Sequence, residues 1–405
     1  MPVLARAAPL FELGLDICVF LFLPVLALAS RGAAPLAATA GVLALGLAAP
    51  AGERAWQQVR GALPLFAALV AWGALSALWA VEPQRSLVVA AQLAGMFAAG
   101  LALIAASREI AAPARLVGAF AAGLLVALAV AVAQDATHGE LTAPLARRGF
   151  VTPALNQVEN GLAFALLPLA ATLARRGHRL FAAALTVAGA AVIALLVGDA
   201  GRVGFALGVA AALLFYLWPR PLARVAAALS VAVILAAPVI FPPLAQIAAA
   251  RHGAQDVKFS LWHRLEIWSF VGGRIGERPL LGWGLDASRA IPGGNGTTPE
   301  GWQLLPLHPH NAPLQLWLEL GAPGAALFAL FAARLWLALG AAPWPRAFAA
   351  AAAGSLVAAF TVGLGAYGIW QEWLIASEFL TLFLILVMAR VAAQPMPDRR
   401  LGSIS

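Results

Sequence analysis

The sequence predicts an all-α, polytopic integral membrane protein, and three observations lead there. The 405 residues are 62% hydrophobic with a mean hydropathy of +0.87. Only 11% are charged, too few to clothe a water-soluble globule. The apolar runs repeatedly reach the ~20 residues that carry a helix across a bilayer. These runs are continuous Ala, Leu and Val without the alternation of a barrel strand, so the spans are helices whose amides bond within their own segment.

In order, spans are expected near 11–30, 33–50, 62–80, 87–106, 114–134, 157–174, 180–198, 203–218, 221–243, 312–340, 346–366 and 370–390, about twelve in all. The first could mimic a secretory leader, since Ala27-Leu28-Ala29 has the small-x-small form. Glu12 and Asp16 make it a poor one, so it is read as a retained span. The segment from Asn311 to Gly340 is too long for one plain crossing and is interrupted by Gly321 and Pro323. It is read as a short interfacial helix followed by the crossing itself.

Arginine sets the orientation, because cytoplasmic loops are enriched in Lys and Arg. With the N-terminus inside, fifteen arginines fall on inner segments and five on the short outer ones. The long hydrophilic stretch near 246–309 exceeds the length at which its own charges matter, and it lies on the far side with Arg202 and His310. The chain thus divides into helices 1–9 over 1–245, a loop with short helices over 246–309, a re-entry helix with three final spans over 310–392, and an inner tail over 393–405. The net charge of +8 is mainly a topology signal, with a minor attraction to anionic membrane lipids. No nucleic-acid partner is expected.

The most informative polar cluster closes the loop: residues His308 to Gln315 read HPHNAPLQ and hold two of the six histidines. A histidine where water meets lipid is a candidate general base. His310 is the choice, with His308, Asn311 and Gln315 as positioning groups. Arg202 lies in Gly198-Asp199-Ala200-Gly201-Arg202, at the start of a span. Free amides at a helix N-terminus, glycines that admit a ligand and a forked guanidinium would suit phosphate. An arginine snorkelling beside Asp199 would look the same, and the sequence does not choose. Arg147 and Arg148 stand on another outer loop, as anion ligands or as solvated charges.

Within the long loop, Leu261, Leu265 and Trp268 have helical spacing, which predicts a helix along the membrane surface with Arg264 flanking its buried stripe. The loop's Trp262, Trp268, Trp283 and Trp302 read either as sugar platforms or as an interfacial belt, and the belt is the commoner outcome. Gly282-Trp283-Gly284 lacks the context of a dinucleotide motif and is read as a turn. His308 and His310 make a poor metal pair, with Pro309 between them and no Cys, Asp or Glu nearby, so no metal or other cofactor is expected. The single Cys18 excludes an intramolecular disulfide.

Taken together these features resemble the O-antigen ligase family, within the group sharing the O-antigen ligase and polymerase domain. The likeness covers nearly the whole chain: the spans, one large loop before the last three, and a motif HxHNxxLQ at His308, His310, Asn311, Leu314 and Gln315. Weaker matches are Gly201-Arg202-Val203-Gly204, the stretch Arg264-Leu265-Glu266-Ile267-Trp268, and Gly282-Trp283-Gly284. Many relatives carry Ser before the first of these arginines, where this chain has Gly201. The resemblance implies a GT-C-like glycosyltransferase of the bacterial inner membrane, acting at its periplasmic face without metal. It would move O-antigen from undecaprenyl pyrophosphate to the lipid A-core, with His310 as base and Arg202 and Arg264 on the pyrophosphate, helped by Arg147 or Arg148. A polymerase or protein O-oligosaccharyltransferase would use the same donor, and a lipid-linked-sugar transporter is the non-enzymatic alternative.

Overall fold

Apolar sequence in lipid must satisfy its backbone internally, and the computed structural model is accordingly helical almost throughout. It describes residues 2–144, 155–196, 198–251, 259–298 and 300–395. The helices are α1 (Pro2–Leu28), α2 (Ala33–Ala48), α3 (Glu53–Val59), α4 (Leu63–Leu75), α5 (Pro83–Ala106), α6 (Pro113–Ala136), α7 (Asn156–Arg175) and α8 (Arg179–Leu195). They continue as α9 (Asp199–Leu217), α10 (Pro219–Leu235), α11 (Ala237–Arg251), α12 (Phe259–Glu277), α13 (Ala312–Ala341), α14 (Arg346–Gly365) and α15 (Glu372–Ala393).

Every expected span coincides with a helix or a bent helix pair, while the structure supports a coarser count than twelve. Among the described residues nine helices are long and apolar enough to cross a membrane, or eleven if the bent pairs α3–α4 and α10–α11 each count as one. The expected span at 221–243 is two helices bent by 71°. Pro238 sits in the first turn of α11, where a missing N–H costs nothing at a fresh start but would break a continuing helix. At 17 residues α8 is shorter than a plain crossing.

The main core lies where α1, α6, α7 and α15 converge, around the fully buried Phe22, Phe120, Phe164 and Phe383. The acidic residues of α1 are explained there: Asp16 and Glu12 meet Arg115 at 2.6 and 3.3 Å, and Glu12 also accepts the Ala111 N–H at 2.6 Å. Arginines close the same end of the bundle on helix-end carbonyls. Arg175 donates to Ala392, and Arg390 to Ser107 and Ile110. Helices α9 and α14 pack backbone to backbone, since a Cβ at Gly208 would fall 2.6 Å from the Gly354 carbonyl oxygen.

Opposite that end, α13 is one helix broken within itself. Gly321 takes φ +63°, ψ −162°, a conformation that side chains avoid, and Pro323 has no N–H to give. The carbonyls just before the break therefore lose their usual donors, and other parts of the chain replace them. Trp283 N–H donates to Leu318 O at 2.9 Å, Gly284 N–H to Glu319 O at 2.9 Å, and Trp72 Nε1–H to Leu320 O at 2.8 Å. The Ala322 N–H is taken by Pro279 O at 2.9 Å. The expected division of this segment at Gly321 and Pro323 is thus observed, and the turn expected at Gly282–Gly284 is the strap that closes it.

The loop helix α12 is real, but its inner face is not the one read from the sequence. Trp262, Ile267, Val271 and Ile275 are buried, whereas Leu261 is exposed. Trp283 is buried in the same cluster, with Trp268 against it. Trp268 and Trp283 thus form part of a small core under the loop, packed on α11 and the first turns of α13.

Candidate functional site

Several helix ends meet beneath the loop: the starts of α5, α7, α9, α13 and α15, the end of α14, and α12 across the top. The polar HPHNAPLQ stretch folds at their centre because Asn311 stops the loop and begins α13. Its Oδ1 accepts the Leu314 N–H at 3.0 Å, an N-cap, and Pro313 suits the first turn. Gln315 follows one turn later, buried, with its Oε1 accepting the Ile369 N–H at 2.9 Å. That bond ties α13 to the short segment 366–371 between α14 and α15.

The two histidines stand with ring centroids 4.2 Å apart, and their partners differ in kind. His308 is buried, and donors face both of its ring nitrogens: the His310 N–H at Nδ1 (3.3 Å) and the Gln371 amide at Nε2 (3.1 Å). Gln371 cannot turn its oxygen inward, because Trp373 Nε1–H holds that oxygen at 2.8 Å. A neutral imidazole has one lone pair, and that of His308 is spent inside the protein in either tautomer. His310, at φ +54°, instead has Nδ1 2.6 Å from the Ala366 carbonyl oxygen. A carbonyl can only accept, so Nδ1 carries the proton and Nε2 keeps its lone pair.

Charge reinforces the contrast. Burial, then the neighbouring His310, Arg289 and Arg264, push His308 down to about 3. Burial also lowers His310 from its ordinary value, partly offset by the Ala366 hydrogen bond, with Arg264 and His263 lowering it further. Both rings are neutral at pH 7. Burial likewise lowers Arg264, but its ordinary value is so high that it stays a cation.

The sequence placed Arg202 and Arg264 on one anion; in the structure Arg202 holds a carboxylate of the protein itself, close enough for its charge to be felt at Arg264. Asp199 pairs with Arg202 at 2.8 Å, and its charge also acts on Arg264. The α9 N-terminus is likewise already faced by an acidic side chain: Glu159, fully buried in α7, accepts the Gly198 N–H at 2.8 Å. The glycines of Gly198-Asp199-Ala200-Gly201 were expected to admit a ligand, and this is corrected. A Cβ at Gly198 or at Gly201 would come within 2.9 Å of the Glu159 carboxyl group, so they are small to admit Glu159. Arg147 and Arg148 lie outside the described residues.

Four groups were missed. Glu159 and Glu319 are single carboxylates in apolar runs, a signal that marks function by default. Tyr367, which accepts from Asn160 at 3.3 Å and whose hydroxyl burial pushes up to about 12, and Gln371 lie in an otherwise apolar connector. Below the histidines an apolar cavity of about 650 Å³ extends between α4, α10, α13, α14 and α15. Ala312, Tyr367 and Trp370 line its upper end, Phe66, Trp336 and Phe379 its walls. Among the described residues no three His, Cys, Asp or Glu side chains are grouped to hold a metal ion.

Fold and site together define a multi-pass, all-helical membrane protein with a histidine and arginine centre where its loop meets its bundle. Residues 183–329, from α8 through the break in α13, match the family model described as O-antigen ligase. A "Putative polysaccharide ligase" of Rickettsia conorii is 36% identical over 132 residues, and a namesake from Rickettsia typhi is 35% identical over 138. A Rickettsia prowazekii protein of the same description is 36% identical over 132 residues. Each match spans about a third of this chain and about a third of the relative. The family read from the histidine motif is thus the one whose model matches residues 183–329.

Proposed function

We propose that the protein is an inner-membrane glycosyltransferase of GT-C-like architecture that moves O-antigen polysaccharide from undecaprenyl pyrophosphate to the lipid A-core oligosaccharide, at the periplasmic face and without metal. The observation that carries the reading is the His310 Nδ1–H···O=C contact with Ala366, which leaves the ring's other nitrogen basic in a half-buried, positively charged setting.

In the step, an acceptor sugar hydroxyl gives its proton to His310 Nε2 while its oxygen attacks the anomeric carbon of the donor. The bond from that carbon to the pyrophosphate oxygen breaks, its electron pair leaves with the lipid pyrophosphate, and the anomeric centre inverts. Arg264 and Arg202 balance the charge that grows on the leaving group. For Arg202 this means leaving Asp199 for a stronger, doubly charged partner. Asn311 and Gln315 hold the loop closure and His308 packs against the base. The apolar cavity under the site has room for prenyl units of the donor.

The test is the lipopolysaccharide of a deletion strain. Loss of a ligase leaves bare lipid A-core with polymer accumulating on the carrier lipid. Caps of a single repeat would mean a polymerase instead, and an unchanged profile with an under-glycosylated protein would mean a protein O-oligosaccharyltransferase.

A further inference from the structure

The carboxyl group of Glu319 has no exposure, and four donors from three stretches of chain converge on it. Asp286 N–H and Trp370 Nε1–H donate to Oε2 at 2.7 and 2.5 Å. Gln315 Nε2–H donates to Oε1 at 3.0 Å, and the Ser288 hydroxyl donates to the same oxygen. Asp286, Trp370 and Gln315 can only donate here, while the Ser288 hydroxyl can donate or accept, so the pocket takes either the carboxylate with four donors or the acid with its O–H turned to Ser288.

Two of the four partners lead directly to the histidines. Trp370 belongs to segment 366–371, and Gln315, held by Glu319 through its nitrogen, grips Ile369 through its oxygen. The segment is thus pinned at two successive residues, and its ends reach His310 through the Ala366 carbonyl and His308 through the Gln371 amide. The other two partners fix the backbone at Asp286, whose own carboxylate takes Arg85 at 2.6 Å and Arg289 at 3.4 Å. Glu319 is the only described residue touching the loop, α13 and the connector at once through side-chain oxygens.

We propose that Glu319 is a positioning residue of the transfer site: by anchoring Trp370 and Gln315 it sets the Ala366 carbonyl, and so holds His310 in the tautomer whose Nε2 can take a proton. The proposal rests on the reading of His310 as base, and its test separates the two.

The test uses the full-length chain in lipid nanodiscs, ¹⁵N-labelled at histidine, as wild type, Glu319→Gln and Trp370→Phe. Trp370→Phe removes one donor and keeps the ring, so it serves if Glu319→Gln does not fold. A His310→Gln spectrum identifies the His310 signals among the six histidines. Without substrate, wild type should show Nδ1 protonated and Nε2 bare, while both variants should show a mixed population. With lipid substrates, kcat should fall roughly 10- to 100-fold in Glu319→Gln and less in Trp370→Phe, with the donor KM within about twofold, as expected of a misplaced catalytic group. A purely structural role would lower thermal stability and leave the tautomer of the folded fraction intact. That result, or a fall in kcat with an unchanged tautomer, overturns the proposal. A mixed tautomer with undiminished kcat would uphold the positioning of His310 and remove it as the base.

Discussion

The Glu159 carboxyl group accepts the Gly198 N–H at 2.8 Å, so the helix terminus that could greet an incoming phosphate is already capped by an acidic side chain of the protein. Arg202 is paired in the same way with Asp199. On the proposed reading, a donor pyrophosphate would compete with these acidic side chains for Arg202 and the helix terminus instead of filling a bare positive hole.

That closeness gives a test by substitution. Gly201→Ala places a methyl group within 2.9 Å of Glu159 atoms, and overpacking of this kind costs about 1–3 kcal/mol. Gly201→Ala should lower thermal stability, and the double variant with Glu159→Ala should recover most of the loss. Additive effects in the cycle would show that the two residues do not press on each other.

His310→Ala should cost about 10²- to 10⁴-fold in transfer, the range of a general base, while His308→Ala, whose lone pair is already engaged, should be milder. The pH profile follows from the downward shift of His310. The base is active when unprotonated, so lowering its pKa extends activity to more acid pH. kcat/KM should stay flat through neutrality and fall only below the ordinary histidine value of about 6.5. An acid limb above that value, or one that survives in His310→Ala, would move the base elsewhere.

Arg202→Lys and Arg264→Lys keep the charge and lose the planar fork, so activity should fall substantially, and further for Ala at either position. Turnover should persist in excess EDTA. If chelation abolishes it and Mg²⁺ or Mn²⁺ restores it, the arginines are not the pyrophosphate's main counter-charge.

Orientation is accessible to labelling. Thr297 is exposed on the loop and the native Cys18 is buried in α1, so Thr297→Cys offers one reactive thiol. A membrane-impermeant maleimide should reach it from the periplasm of intact spheroplasts. Reaction only after the membrane is opened would reverse the topology.

Hydropathy made the helices legible, because each lipid crossing must be written as an apolar run. It could not show the bend after Leu235, since apolar sequence runs on through the break and only Pro238 hints at it. The histidine motif was legible because polar residues at a re-entry point are conspicuous. The inner face of α12 was misread because Leu261 and Leu265 share a helical spacing with Trp268 as good as that of Trp262 with the truly buried residues. Glu319 went unseen although it lies one helical turn beyond Gln315, where their side chains meet. Its meaning comes from Trp370 and Asp286, which only the fold brings near.

The break at Gly321 has a bearing on how the molecule is made. An unpaired carbonyl in lipid costs several kcal/mol, and three in succession are satisfied only from Trp283, Gly284 and Trp72. All three donors precede α13 in the chain and so leave the ribosome first. A chain lacking residues 279–284 would leave the Leu318 and Glu319 carbonyls without these donors, and α13 should straighten or shift at the break.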